Sequence, residues 1–206
     1  MLSQSVASEL REAISAGEFQ PGEQLSEVKA AERFNCSRNT LRESFTRLAA
    51  ERIVERIPNR GVFLAMPDTD YIRDLFAARA AIEPAAVRWG AFADAPSLVT
   101  LTSSAFDYAA RGEHNEVSSI NQQFHRKLVA SLGSPTLNEQ MDNLLARMRL
   151  TFLLAIPRYP QLHADHIQGN ITLATLITDG KRQEAATLSH DSLMNTCEKI
   201  LAVLDD

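Results

Sequence analysis

The run Ser37-Arg38-Asn39-Thr40-Leu41-Arg42 gathers the side chains best suited to reading the edges of nucleic-acid bases. An arginine guanidinium can donate two parallel hydrogen bonds to guanine, an asparagine amide can exchange a pair with adenine, and Ser or Thr hydroxyls serve phosphates or base edges. With Ser37 as a helix N-cap, Arg38, Asn39 and Arg42 stand on the face opposite Leu41 and Phe45, where a helix entering a major groove needs them. Around them Arg33, Arg47, Arg52, Arg56 and Arg60 outnumber Glu43, Glu51 and Glu55, which makes a local basic patch. A charged, solvated helix face would show the same pattern, so the neighbouring elements must decide between the two. A second set, His163, Asp165, His166 and His190, has the residue types that bind a metal and activate water. Neither a phosphate-cradling glycine loop nor a nucleophile motif accompanies it, which leaves a metal-dependent hydrolase with little support.

The elements around the first set are legible. Leu2, Val6, Leu10 and Ile14 recur every fourth residue, the stripe of an amphipathic helix that Gly17 ends. Pro21-Gly22 makes a turn, Ser26 starts a short helix that lasts to about Phe34, and Asn35-Cys36 turns the chain into the helix capped by Ser37. Two short β-type runs follow, Ile53–Ile57 and Val62–Ala65, joined by Pro58-Asn59-Arg60-Gly61. They predict a hairpin. Three helices and a hairpin make a winged helix-turn-helix. Past Met66-Pro67-Asp68 strand patterning ceases, and helices are predicted at about 69–92, 96–111, 114–132, 134–156, 159–178 and 181–204, separated by Pro and Gly breaks. Short connections favour an antiparallel bundle, with Pro84 either kinking the first helix or marking a boundary. The predicted fold is mainly α: a winged helix-turn-helix over residues 1–66 and an all-α antiparallel bundle over residues 67–206.

Composition narrows the function classes. With 21 Lys+Arg against 26 Asp+Glu, a net charge of -5, the 206-residue chain is not coated in basic surface, so a nucleic-acid site must be a local patch. Two cysteines, Cys36 and Cys197, make neither a disulfide framework nor a thiolate zinc site. The charges at Glu9, Arg11 and Glu12 interrupt any signal-peptide core, and no apolar stretch reaches the roughly 18 residues that span a bilayer. A cytoplasmic protein without membrane contact is expected.

The segments Gly17–Glu27, with Pro21-Gly22 and Leu25-Ser26-Glu27, then Ser37-Arg38-Asn39-Thr40-Leu41-Arg42-Glu43 and Arg60-Gly61-Val62-Phe63, resemble the GntR family of transcription regulators. The resemblance implies that Ser37, Arg38, Asn39, Thr40 and Arg42 contact operator DNA and that Arg60 and Gly61 at the wing tip reach the minor groove. Val28 stands where the fatty-acid-responsive members carry a DNA-contacting arginine, so that contact is not expected here.

The remainder is similar to the FCD domain of the FadR subfamily. Arg79-Ala80-Ala81-Ile82-Glu83 resembles its opening motif, and Phe124-His125 with Leu128, then Gly133-Ser134-Pro135 and Leu137, resembles a later one. What this implies is a homodimer on a palindromic operator, acting as a repressor released by a small carboxylate-type metabolite. Arg79, Asn121, His125 and Asn170 are the implied effector-binding residues. Many such domains hold zinc, nickel or manganese through one Asp and three His. Here Asn121 and His125 occupy the Asp and first His positions, and the other two fall on Asn170 and near Ser192, which leaves His125 as the one matching ligand. Arg79 lies in an apolar helix and needs an anion, which Glu83 one turn on or an effector carboxylate could supply. A helical domain that only dimerises or docks a partner is the alternative.

Overall fold

Val6, Leu10 and Ile14 are buried along one face of α1 (Leu2–Ser15), as their spacing requires. The computed structural model describes residues 2–205, and the side chain of Leu2, the first of that series, lies outside the described residues. At the end of α1 the amides of Gly17 and Glu18 donate to the carbonyls of Ile14 and Ala13, at 2.9 and 3.1 Å. Gly17 supports this cap with φ +82°, and a Cβ there would also collide with the guanidinium of Arg149. α2 (Glu27–Arg33) and α3 (Arg38–Ala50) begin at Ser26 and Ser37, whose hydroxyls accept from the amides of Lys29 and Thr40 at 3.4 and 3.1 Å. Between them Asn35 takes the left-handed conformation at φ 45°. α3 buries Leu41, Ser44, Phe45 and Leu48, and packs on α1. The ion pair of Arg11 with Glu51, 2.7 Å and mostly buried, ties α1 to the C-cap of α3.

Three antiparallel strands follow the order β1-β3-β2: β1 (Gln24–Leu25), β2 (Val54–Ile57) and β3 (Gly61–Leu64). β2 and β3 are the predicted hairpin, with Ile57 opposite Gly61. β1 was not predicted. It pairs Gln24 with Phe63 and Leu25 with Val62, so the segment before α2 is stitched to the wing.

The second helical set consists of α4 (Thr69–Trp89), α5 (Pro96–Ala110), α6 (His114–Ala130), α7 (Pro135–Ala155), α8 (Leu162–Thr178) and α9 (Arg182–Asp205). α4 runs through Pro84 without a break. The predicted start of α8 at 159 moves to Leu162, because the amide of Tyr159 still bonds the carbonyl of Ala155 at the end of α7. The chain divides into two compact units, the first reaching Asp68 and taking in Asn143–Leu154, the second Thr69–Asp142 with the chain from Ala155 onward. In the second unit α4 packs on α9 and α6, and α5 on α6 and α8. Val87, Leu98, Phe124, Leu128, Leu173 and Ile177 form one apolar cluster, and Ala105, Val117, Ile120 and Ile167 another. Trp89, the sole tryptophan, closes α4 with 75% of its surface exposed and the Arg88 guanidinium 5.2 Å from its ring centre. Among the described residues no helix is long and apolar enough to cross a membrane, and both cysteines are free.

Candidate nucleic-acid interface and buried polar cavity

The first site is the exposed N-terminal turn of α3. Ser37, Arg38, Asn39 and Arg42 are exposed and Thr40 partly so, while Leu41 and Phe45 are buried on the far side, the division that the sequence predicts. The Ser37 and Thr40 hydroxyls lie 2.8 Å apart, so the cap is closed on itself. Arg42 is not loose. Its Nε lies 3.2 and 3.1 Å from the two carboxylate oxygens of Glu27, and a terminal nitrogen lies 3.0 Å from Oε2. The hydrogen bond to Glu27 and then its charge raise the Arg42 pKa further above the usual arginine range. Arg56 on β2 donates to the backbone carbonyl of Arg42 at 3.2 Å, which fixes the wing strand against α3.

At the wing tip Asn59 and Gly61 have φ of 60° and 110°, and the amide of Arg60 closes the turn on the carbonyl of Ile57 at 3.0 Å. Gln24 of β1 donates to the Arg60 carbonyl at 2.7 Å. The Arg60 guanidinium rests 5.5 Å from the Phe63 ring centre. The two-residue strand therefore holds the wing tip in place. Sequence reading missed both Glu27 and Gln24 as site residues, since each acts on a partner 15 or 36 residues away.

The second site lies wholly within the helical unit. α5, α6 and α8 enclose a small cavity lined by Thr102, Asn121, His163, His166 and Asn170 among apolar residues, with free volume of about 10 Å³. That is room for about one water. Asn170 Nδ2 donates to Asn121 Oδ1 at 2.7 Å, joining α8 to α6. Thus two of the predicted effector residues are brought together, 49 positions apart. Arg79 and His125 do not line this cavity and form a buried pairing beside it. Arg79 Nε lies 2.6 Å from Glu83 Oε1, and His125 Nδ1 2.6 Å from Glu83 Oε2. Arg79 and Glu83 are 2% and 0% exposed, so the anion that Arg79 requires is Glu83, one turn along the same helix. Burial by itself would raise the Glu83 pKa. The charges and hydrogen bonds of Arg79 and His125 outweigh it and push the carboxyl down to about 2.

His163 and His166, grouped in the sequence with Asp165 and His190, both reach the cavity wall, one turn apart on α8 and in line with Asn170. Burial, then the positive fields of His125, Arg79 and His163, lower the His166 pKa to about 3, against a weaker opposing effect of Asp165. His190 lies elsewhere, exposed and 3.1 Å from Asp191. Asp165 accepts from the Tyr159 hydroxyl, a bond that with burial and charge raises the Tyr159 pKa to about 12.

A metal needs convergent donors with spare lone pairs. Asn121 offers a neutral amide oxygen that already accepts from Asn170, and His125 turns Nδ1 to Glu83. No group of three His, Cys, Asp or Glu residues among the described residues is placed to hold an ion, so the donor set does not fit a divalent metal.

Comparison with known proteins identifies the regions that carry the two sites. Residues 2–64 match the model of bacterial regulatory proteins of the gntR family, and residues 74–194 match that of the FCD domain. The chain is similar to the Nta operon transcriptional regulator of Aminobacter aminovorans, with 25% identity over 90% of this chain and 88% of that one. It is also similar to the HTH-type transcriptional repressor GlaR of Escherichia coli K12, with 28% identity over 88% of each. A solved structure of a GntR-type regulator from Rhodococcus sp. RHA1 superposes with a TM-score of 0.82 at 28% identity, covering 97% of both chains.

Proposed function

This chain belongs to the gntR family of bacterial regulatory proteins, in the branch that carries an FCD domain, and from that premise we propose that it is a homodimeric repressor whose hold on a palindromic operator is released by a small carboxylate-type metabolite. That it is a DNA-binding transcriptional regulator and not an enzyme follows from its two family matches and from relatives that are all regulators. The single observation that carries the DNA side of the proposal is the exposed turn Ser37–Arg42, capped, oriented and flanked by the wing.

In this reading residues 1–66 bind DNA, and residues 67–206 bind the effector and dimerise. Ser37, Arg38, Asn39, Thr40 and Arg42 meet the major groove, and Arg60 with Gly61 the minor groove. Asn121 and Asn170, with His163 and His166, meet the effector, while Arg79 and His125 act through Glu83 from behind the cavity wall. FCD domains often bind metal ions, and the neutral amide of Asn121, a poorer metal ligand than a carboxylate, favours an effector held here by amides and imidazoles directly. The protein works where the chromosome is, in the cytoplasm. Because the cavity holds only about one water, effector entry must part α6 from α8 at the Asn121–Asn170 bond. A coupling of about 1–3 kcal/mol between this step and DNA affinity is enough for regulation.

The test is selection of binding sites by the full-length protein from a randomised duplex pool, followed by titration of the selected site in the presence of candidate carboxylates. A palindromic motif whose affinity drops with one carboxylate is the expected result. Enrichment of no sequence, or an affinity indifferent to every carboxylate, would refute the respective half. A helical domain that only dimerises is less well supported, since the FCD match covers the cavity residues.

A further inference from the structure

We propose that Glu27 is a positioning and specificity residue of the DNA interface, gripping one edge of Arg42 so that the opposite edge is presented to a base, and cancelling the charge that would otherwise draw Arg42 to any phosphate. This rests on the reading of α3 as the recognition helix.

The geometry separates the two edges of the guanidinium. Glu27 takes the side edge, Nε and one terminal nitrogen, at 3.0 to 3.2 Å. A guanidinium has five N–H donors in one plane, so the end-on edge keeps two parallel donors, the fork that matches O6 and N7 of guanine. Glu27 can do this because it is the first residue of α2, directly after the Ser26 cap, a position fixed by backbone rather than by a flexible loop. The helix carrying Arg42 is fixed in turn by the Ser37 cap and by Arg56 on the Arg42 carbonyl.

Stability does not explain the pair. Its side chains are 58% and 34% exposed, and ion pairs in such settings contribute little to folding. Its effect on recognition is larger. Attraction to non-cognate DNA follows the number of uncompensated cations near phosphates, and a carboxylate 3.0 Å from Arg42 removes one from that count. Selectivity is a difference between two affinities, so lowering the non-cognate one sharpens it. An acidic residue in the first turn of α2 would also favour the helix dipole, so the experiment must separate that role.

The experiment uses full-length protein as wild type, Glu27→Gln, Glu27→Ala and, as a control, Glu32→Gln, which removes the same charge from an exposed position of α2. Each is carried through selection from a randomised duplex pool, and each is titrated against one fixed non-cognate duplex over a range of salt. The expected result for Glu27→Ala is tighter non-cognate binding, a salt slope steeper by about one, and about tenfold weaker discrimination at one base pair of each half-site. Glu27→Gln, which keeps a hydrogen-bond acceptor, reproduces the non-cognate change and retains part of the discrimination. Glu32→Gln changes neither. Should both Glu27 variants select the wild-type motif with wild-type non-cognate affinity, or should Glu32→Gln reproduce their effects, the proposal is overturned. Should Glu27→Ala lose its far-UV circular dichroism, the near-isosteric Glu27→Gln decides alone. A wild type that enriches no sequence overturns the reading of α3 itself, an outcome distinct from the others.

Discussion

Arg42 with Glu27 and Arg79 with Glu83 are the same ionic pairing placed in opposite surroundings. In the first, water reaches both partners, and the arginine can exchange part of its environment for a base without leaving a charge stranded. In the second, the side chains are 2% and 0% exposed and a histidine shares the carboxylate, so neither partner can leave alone. Burial decides whether an arginine is available for recognition or committed to the fold, and the two regions divide those tasks between them.

The strongest way to break that contrast is to remove one buried partner. Arg79→Ala leaves the buried Glu83 carboxylate with His125 as its remaining partner and is expected to cost about 3–5 kcal/mol in urea unfolding followed by far-UV circular dichroism, whereas Glu27→Ala changes stability by under about 1 kcal/mol. Replacing Arg79 and Glu83 together with Met and Leu should recover most of the loss. Equal costs at the two sites would erase the distinction.

Acid sharpens the contrast next. Glu83 has its pKa lowered from 4.5 to about 2 in the fold, so the stability it contributes is complete above 4.5 and disappears as pH falls toward 2. His166 is lowered from 6.5 to about 3, so between those values the unfolded chain takes up a proton that the folded one refuses, and stability again falls with pH. Both effects act in one direction. Urea midpoints should decline steadily from pH 6.5 downward, and His166→Gln should flatten the upper part of that decline. Unchanged curves for this variant would remove His166 from the account.

On the exposed side, Arg42→Ala should weaken binding to the selected operator by about 1–3 kcal/mol, with base preference relaxed at the position it reads and unfolding nearly unchanged. Selectivity that survives intact would show that another face of α3 reads the groove. The smallest effect is expected of Arg56→Ala. It should weaken binding uniformly across sequences and lower the salt slope by about 0.9. A sequence-dependent loss would assign Arg56 to base reading.

What the sequence revealed follows the range of the forces involved. The Ser37 cap, the Pro58–Gly61 turn and the four-residue stripe of α1 depend on neighbours within a turn, and each was legible. β1 escaped because two residues carry no periodicity, and only its pairing with Val62 and Phe63 makes it a strand. Glu83 was seen as a partner for Arg79 four residues earlier, but its bond to His125, 42 residues on, was not. His163 and His166 could have been placed with Asn170 from the spacing of three and then four, which sets all three on one helix face whether α8 starts at Leu162 or at 159.

The exposed Trp89 at the end of α4 has an optical consequence. A tryptophan with 75% of its surface accessible to water and Arg88 against its ring emits much as it would in an unfolded chain. As the sole indole of the protein, it leaves intrinsic fluorescence nearly blind to melting and to events in the cavity, and makes it a selective reporter of whatever comes to cover that one end of α4.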